Sequence, residues 1–370
     1  MALKVGVVGA RGIGEHHAAC HAADPLAQLV AVCDVVKERA EPIGAKHGVK
    51  VYRTPGEMLD AHPDLDVVDV CTGGFENGGW HFEPAVQALE AGKHVLVEKP
   101  ISNDIHEARE LVRLAAEKDL YLGCNLNHYF TEPARQARVL MNEGKIGEHV
   151  YCLHRMGFFG GEATYSAPGG GGNFDGFPHA HLKAFLAHPF SLMRHFCGDI
   201  THIQAFLDRP GCRRTHSDLM LSIASIHVRF VSGAVGYMFS SRGDTSMGMG
   251  GWWSFELGGT RGTFCIENCV EKLTYYPAPE PGQGFGLGFH PAPQVTNTGI
   301  TDFGLTFPAR IHAFLEDVTA QVPKNKLRAS GRDALATLEY TFAAIDSGEQ
   351  GGALVRPHPL PTLKRDLRDQ

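Results

Sequence analysis

The chain has 370 residues, of which 43% are hydrophobic and 20% charged, and a formal charge of −7. Its length exceeds what one hydrophobic core usually supports, so two domains are expected. The charge is spread without long single-sign runs, which argues against nucleic acid or an anionic membrane as partner. Nothing approaches the roughly 18 consecutive apolar residues of a membrane span. The nine cysteines form no C-x-x-C pair, so reduced thiols fit better than a disulfide framework or a zinc module. Met1-Ala2-Leu3-Lys4 runs straight into an apolar segment without a charged leader or cleavage site, and a soluble, cytoplasmic protein is expected.

Leu3 to Val8 is an apolar run that ends in Gly9-Ala10-Arg11-Gly12-Ile13-Gly14. A helical stretch follows from Glu15 to Ala23, then an apolar run from Gln28 to Cys33 that ends at Asp34. Strand, glycine turn, helix, strand and acid make one βαβ unit. Helices are predicted over Val36 to His47, Pro55 to Ala61, Glu83 to Ala91 and Asp104 to Lys118. Strands are predicted over Val49 to Tyr52, Val67 to Cys71, His94 to Val97 and Leu120 to Cys124. This alternation predicts a doubly wound parallel sheet, a Rossmann domain over residues 1–125.

Beyond Asn127 the pattern changes. Pro133 to Glu143 reads as a helix, Val150 to Met156 starts a second sheet, and Pro178 to Phe196 is mostly helical around Pro189. Strand-like runs such as Ser225 to Phe230 and Ala234 to Phe239 follow, then a Gly/Pro-rich loop from Pro277 to Pro293. Helices at Ala309 to Gln321 and Arg332 to Ser347 close the chain. Residues 126–370 therefore read as an α+β domain with a large open, mainly antiparallel sheet, for substrate binding and assembly. The overall class is α/β.

The glycine turn carries a nucleotide-binding signal. Gly9 permits the tight turn; Gly12 and Gly14 let the backbone approach a pyrophosphate and let the helix pack close, with Arg11 and Ile13 between them. The spacing is G-x-x-G-x-G rather than G-x-G-x-x-G, with Arg11 where the second glycine usually sits; a glycine-rich surface turn is the plain alternative. Asp34, 20 residues after Gly14, can accept both ribose hydroxyls and would repel a 2′-phosphate. NAD is favoured over NADP, although Lys37 and Arg39 lie close by.

The stretch Ala91-Gly92-Lys93-His94-Val95-Leu96-Val97-Glu98-Lys99-Pro100 closely resembles the glucose–fructose oxidoreductase and inositol dehydrogenase family (Gfo/Idh/MocA), with its Glu-Lys-Pro tripeptide after the fifth strand. His17, His81, Asn127, Gly144-Lys145-Ile146-Gly147, Gly259-Thr260-Arg261-Gly262 and Arg332-Asp333-Ala334-Leu335 agree in order and spacing. The resemblance implies oxidation of a secondary hydroxyl on a sugar, glycoside or cyclitol, or the reverse, with NAD carrying the hydride. It implies that Lys99 reaches the reacting oxygen and that Glu98 contacts the nicotinamide half. Thr72, Gly73, His81 and Asn127 would line the cofactor groove. Lysine ordinarily titrates near 10.4, so proton transfer near neutrality needs burial or neighbours to lower it.

Family members also carry Asp-x-x-x-His on a helix, and here two registers compete. Asp175-Gly176-Phe177-Pro178-His179 keeps the internal spacing. His188-Pro189 followed by Gly198-Asp199 keeps the downstream spacing, with Ala184 in place of the acid. His188 is favoured slightly, with Asp175 and His179 near-equal candidates for the proton-handling group. His179 and His181 with Asp175 have metal-ligand chemistry, but two histidines two apart on a helix diverge, and no metal is expected. Trp252-Trp253 could face a sugar ring or serve as a core anchor. An NAD-recycling glycosidase and a catalytically silent nucleotide-binding protein are the alternatives to a net dehydrogenase. The open sheet face predicts a homodimer or homotetramer.

Overall fold

The computed structural model describes residues 2–73, 79–159, 179–208, 223–244, 252–279 and 291–362. Its contacts divide into two compact units. The first holds the chain up to Asn127, returns for Phe307–Glu339 and includes the residues from Pro359; the second holds His128–Thr306 and Tyr340–His358.

The first unit is a six-stranded parallel sheet of β1 (Leu3–Val8), β2 (Ala27–Cys33), β3 (Lys50–Tyr52), β4 (Val67–Val70), β5 (His94–Val97) and β6 (Leu122–Cys124). Its order is β3-β2-β1-β4-β5-β6. This is a Rossmann arrangement, with the order reversing between β1 and β4, where ligands of open α/β sheets bind beyond the carboxyl strand ends. The helices are α1 (Ile13–Ala23), α2 (Lys37–His47), α3 (Pro55–Ala61), α4 (Phe82–Glu90) and α5 (Ile105–Glu117). Strands covered on both faces need continuous apolar runs, and Val5, Val7, Val68, Val95, Leu96 and Val97 are buried. Asp104 caps α5 by accepting from the His106 and Glu107 N–H groups, and Thr54 caps α3 by accepting from Glu57 N–H, so both helices start where their side-chain oxygens replace missing carbonyls.

The chain's late return differs from the single boundary expected near residue 125. Arg310 is fully buried; its guanidinium donates to the Cys124 carbonyl at 3.0 Å and the Ala329 carbonyl at 3.1 Å. Arg109 forks onto Glu339 at 2.7 and 3.0 Å. These pairings lie more than 180 residues apart in sequence for Arg310 and Cys124, and no local pattern announces them.

The second unit has an eight-stranded sheet: β7 (His149–Phe159), β8 (Ile200–Asp208), β9 (Ile223–Phe230), β10 (Val235–Asp244), β11 (Trp253–Gly259), β12 (Gly262–Glu267), β13 (Lys272–Pro277) and β14 (Gln294–Asn297). The order is β14-β13-β12-β11-β7-β10-β9-β8, antiparallel except for the parallel β10–β7 pair. One face is buried and the other open, as the alternation in β9 shows: Ala224, Ile226, Val228 and Phe230 point in, whereas His227 and Arg229 are exposed. Helices α6 (Glu132–Asn142), α7 (Ala180–Phe185) and α8 (Ala187–Cys197) belong to this unit. The mostly helical stretch expected from Pro178 to Phe196 holds two helices meeting at Leu186, and Pro189 sits in the first turn of α8, where its missing N–H costs nothing. The last helices are α9 (Thr306–Thr319) and α10 (Gly331–Glu349).

Candidate functional site

The turn after β1 is built around absent side chains. Gly9 has φ +94°, and a Cβ there would come within 2.8 Å of the Cys71 carbonyl and the Thr72 nitrogen. A Cβ on Gly14 would lie 1.8 Å from the Gly9 carbonyl oxygen, so α1 can press against the turn only with glycine at that position. Gly12, with φ +55° and open space around it, caps α1 without a side chain, while Arg11 and Ile13 are exposed. The backbone thus presents a helix N-terminus with nothing projecting from Gly12, a surface that suits a pyrophosphate.

Asp34 lies at the end of β2, almost buried. Its Oδ2 accepts from Ala10 N–H and its Oδ1 from Val36 N–H, both at 2.9 Å, so one carboxylate ties the glycine turn to the β2 end. Arg39 stands 4.0 Å away. The carboxylate edge and the side-chain-free turn fit the adenosine diphosphate half of a dinucleotide.

The remaining polar groups of this unit converge between β1, β4 and β5. Thr72 donates from Oγ1 to the Trp80 carbonyl at 2.7 Å, and Gly73 follows it; residues 74–78 lie outside the described residues. His81 is buried, and its Nδ1 donates to the Pro100 carbonyl at 2.7 Å; burial lowers its pKa, so the ring is neutral. The Lys99–Pro100 peptide is cis. Lys99 is half-buried, and its N–H donates to Glu98 Oε2 at 3.1 Å. Asn127 is buried in the turn after β6.

Glu98 is the visible end of a network that sequence reasoning missed. His17, on α1, places Nε2 3.0 Å from Glu98 Oε1 and Nδ1 2.8 Å from Asp69 Oδ2. His21, one turn later, contacts the same Asp69 oxygen at 2.7 Å, and Cys71 Sγ donates to Asp69 Oδ1 at 3.5 Å. The Asn125 amide donates to Glu98 Oε1. Burial opposes charge on His17, Asp69, Cys71 and Glu98. The facing histidines nevertheless hold Asp69 well below the usual carboxylate range, and His17 lowers Glu98. Burial likewise opposes protonation of His17, but Cys71 and the Asp69 carboxylate beside the ring raise its pKa well above the ordinary value. Burial pushes the Cys71 thiol up, so Cys71 is neutral and the counter-charge belongs to Asp69. The signal that could have revealed this is Val67-Val68-Asp69-Val70, an acid inside a strand that must be covered on both faces.

His17, Asp69 and Cys71 offer ligand atoms within 4.8 Å of one another. Tetrahedral zinc at about 2.0–2.1 Å from nitrogen would spread ligand atoms to roughly 3.3 Å. The His17–Asp69 separation of 2.8 Å is the span of a proton instead.

In the second unit, His188 lies buried in α8 and its ring stacks on His128 at 3.8 Å between centroids, 9° from parallel. His128 also meets Trp253 and Phe303 edge-on at 5.1 and 5.3 Å. Trp253 is fully buried, a core anchor between His128 and His154, whereas Trp252 is half-buried against Phe303. Burial drives His154 down to about 3, so it is neutral. Its two ring nitrogens and the Trp253 indole N–H make no hydrogen bond among the described residues. His179 lies at the start of α7, with Nε2 2.9 Å from the exposed Glu349 carboxylate. Asp175 lies outside the described residues, as do most of the Gly-rich stretches beside it.

Residues 3–126 match the oxidoreductase family described by its NAD-binding Rossmann fold. The chain is 33% identical over 148 residues to D-glucoside 3-dehydrogenase of Escherichia coli (strain K12), an alignment covering 40% of this chain and 41% of the relative. It is 26% identical over 246 residues to myo-inositol 2-dehydrogenase of Thermotoga maritima, covering 65% of this chain and 69% of that protein. The chain thus spans less than half of the first relative's length and about two thirds of the second's. Among solved structures, levoglucosan dehydrogenase in complex with NADH superposes with a TM-score of 0.80 at 20% identity, over 97% of this chain and 100% of that one. At that identity the likeness is one of fold.

Proposed function

We propose that the chain, whose residues 3–126 match an oxidoreductase family with an NAD-binding Rossmann fold, is a Gfo/Idh/MocA-type NAD-dependent dehydrogenase oxidising a secondary hydroxyl of a sugar, glycoside or cyclitol, or reducing the corresponding ketone. The observation that carries this reading is the Glu98-Lys99 pair at the carboxyl end of β5, beside a turn whose glycines leave room for a dinucleotide. Gly9, Arg11, Gly12, Ile13, Gly14 and Asp34 would hold the adenosine diphosphate half; Thr72, Gly73, His81, Glu98 and Asn127 would lie along the nicotinamide half. Bound there, NAD supplies the hydride acceptor.

The chain's own task is the proton. Lys99 would hydrogen-bond the reacting hydroxyl and stabilise negative charge on that oxygen. His188 is the proposed second proton-handling group, with its ring plane set by the stack on His128; His179 and Asp175 are the other candidates. His179, occupied by a surface carboxylate, is the weaker of the two histidines. Relatives named for inositol, glucoside and levoglucosan support polyhydroxylated substrates.

The open face of the second sheet, which exposes Val150, Leu153 and Val235, supports assembly as a homodimer or homotetramer. The eight described free cysteines support a reducing, cytoplasmic setting. No helix among the described residues is long and apolar enough to cross a membrane.

The test is turnover of NAD with a panel of cyclitols, aldoses and glycosides, followed at the reduced-nicotinamide absorbance with sugar release measured in parallel. Activity should vanish in Lys99→Ala while NAD affinity stays within about threefold. A fully active Lys99→Ala protein refutes the assignment.

A further inference from the structure

We propose that His17 is a positioning residue: as an imidazolium it holds the Glu98 carboxylate with one ring nitrogen and Asp69 with the other, fixing the end of β5 that carries Lys99. The inference rests on the dehydrogenase reading for its kinetic consequence, though not for its structural content.

Both ring nitrogens face carboxylate oxygens, Nδ1 at 2.8 Å from Asp69 and Nε2 at 3.0 Å from Glu98. A neutral imidazole has one donor only, so two ionised partners require both nitrogens to carry hydrogen. The Glu98 partners point the same way: Oε1 accepts from His17 and the Asn125 amide, and Oε2 from Lys99 N–H. A carboxylate surrounded by three N–H donors is held in its charged form. Asp69 is treated alike by His17, His21 and Cys71.

The network is sealed. The side chains of His17 and Asp69 are wholly buried and only 8% of the Glu98 side chain reaches solvent. His17 therefore acts through Glu98 and touches no ligand itself. The groups that face it are Asp69 and Cys71 from β4 and its end, Glu98 from the end of β5, the Asn125 amide nitrogen after β6 at 3.3 Å from Nε2, His21 and Cys20 on its own helix, and the Phe307 ring edge-on at 5.5 Å. Helix α1 begins at the glycine turn, so one helix both offers its N-terminus to a pyrophosphate and anchors the lysine strand through its second turn.

Three measurements on the full chain test this. In the unliganded protein with ¹⁵N-labelled histidine, the resonances lost in His17→Gln should show both ring nitrogens protonated at pH 8, where an ordinary imidazole is neutral. In His17→Gln, the Lys99 amide should exchange with solvent at least about tenfold faster, while Ala31 in β2 keeps its protection. With a working substrate, kcat of His17→Gln should fall about 10- to 100-fold with NAD affinity within about threefold. In a Glu98→Gln background the same change should cost less than about twofold, because the residue through which His17 acts is already altered. A neutral His17 ring, an unchanged Lys99 amide, or a kcat loss that multiplies in full in the Glu98→Gln background overturns the proposal. If His17→Gln fails to fold, Asp69→Asn takes its place for the exchange and kinetic measurements. A protein inactive on every polyol defeats the dehydrogenase reading, yet the ring-protonation and amide-exchange results still decide the role of His17.

Discussion

Replacing Asp69 with asparagine removes one charge from the middle of a parallel sheet and keeps the side chain's shape. In the parent, Asp69 Oδ2 receives His17 Nδ1 at 2.8 Å and His21 Nε2 at 2.7 Å, all three side chains being fully buried. The amide can still accept from one imidazole through its oxygen, but it cannot balance the His17 cation. Losing one partner of a buried ion pair costs about 3–5 kcal/mol, because the remaining charge stays in a medium that solvates it poorly. Against a typical total of about 5–15 kcal/mol this is a large fraction. With a urea dependence near 3 kcal/mol per molar, the midpoint of the first unit should drop by roughly 1–1.7 M. Circular dichroism during urea titration at pH 7 measures it. Asp64→Asn, which breaks a surface pair with Lys4, should leave the midpoint in place. The sign with pH follows from the depressed Asp69 pKa. Its stabilisation is present above about pH 4 and is lost as pH falls through the folded-state value, so the parent and variant curves should converge in acid. A variant within about 1 kcal/mol of the parent at pH 7 refutes the charged network.

Gly14→Ala forces a methyl to within 1.8 Å of the Gly9 carbonyl; it should destabilise the first unit by about 1–3 kcal/mol and weaken NAD binding by at least about tenfold in calorimetry, and unchanged affinity would remove the turn from the cofactor site. Asp34→Ser, which leaves Arg39 nearby, should move the NAD-to-NADP preference toward NADP by about tenfold or more, read as the ratio of kcat/KM values; an unchanged ratio counts against the ribose assignment. His154 stays neutral when folded down to about 3, so the unfolded chain binds a proton first as pH falls below about 6.5 and stability declines by about 1.4 kcal/mol per pH unit. His154→Phe should flatten that slope between pH 6 and 4 by the same amount, and an equal slope in both proteins would show that the ring is not buried neutral. Arg109→Ala strands the buried Glu339 carboxylate and should cost about 2–4 kcal/mol in chemical denaturation at pH 7.

Much of the first unit was legible in the chain because its signals are local. A run such as Leu3 to Val8 followed by Gly9, Gly12 and Gly14 dictates strand, turn and helix through backbone sterics alone, and His94 to Val97 and Pro55 to Ala61 fall where the apolar pattern puts them. The alternation of such units implies a parallel sheet with helical crossovers, and the acid at Asp34 follows from its distance along the chain. What the one-dimensional pattern could not hold is pairing across sequence. His17, Asp69, Glu98 and Asn125 come from four separate segments, and nothing local to any one of them says that they meet. The same is true of the stack of His188 on His128 and of Arg310 closing onto Cys124. Local sterics and hydrophobic period are written in neighbouring residues, whereas the stabilisation of a buried charge depends on which distant groups the packed fold brings within 3 Å of it.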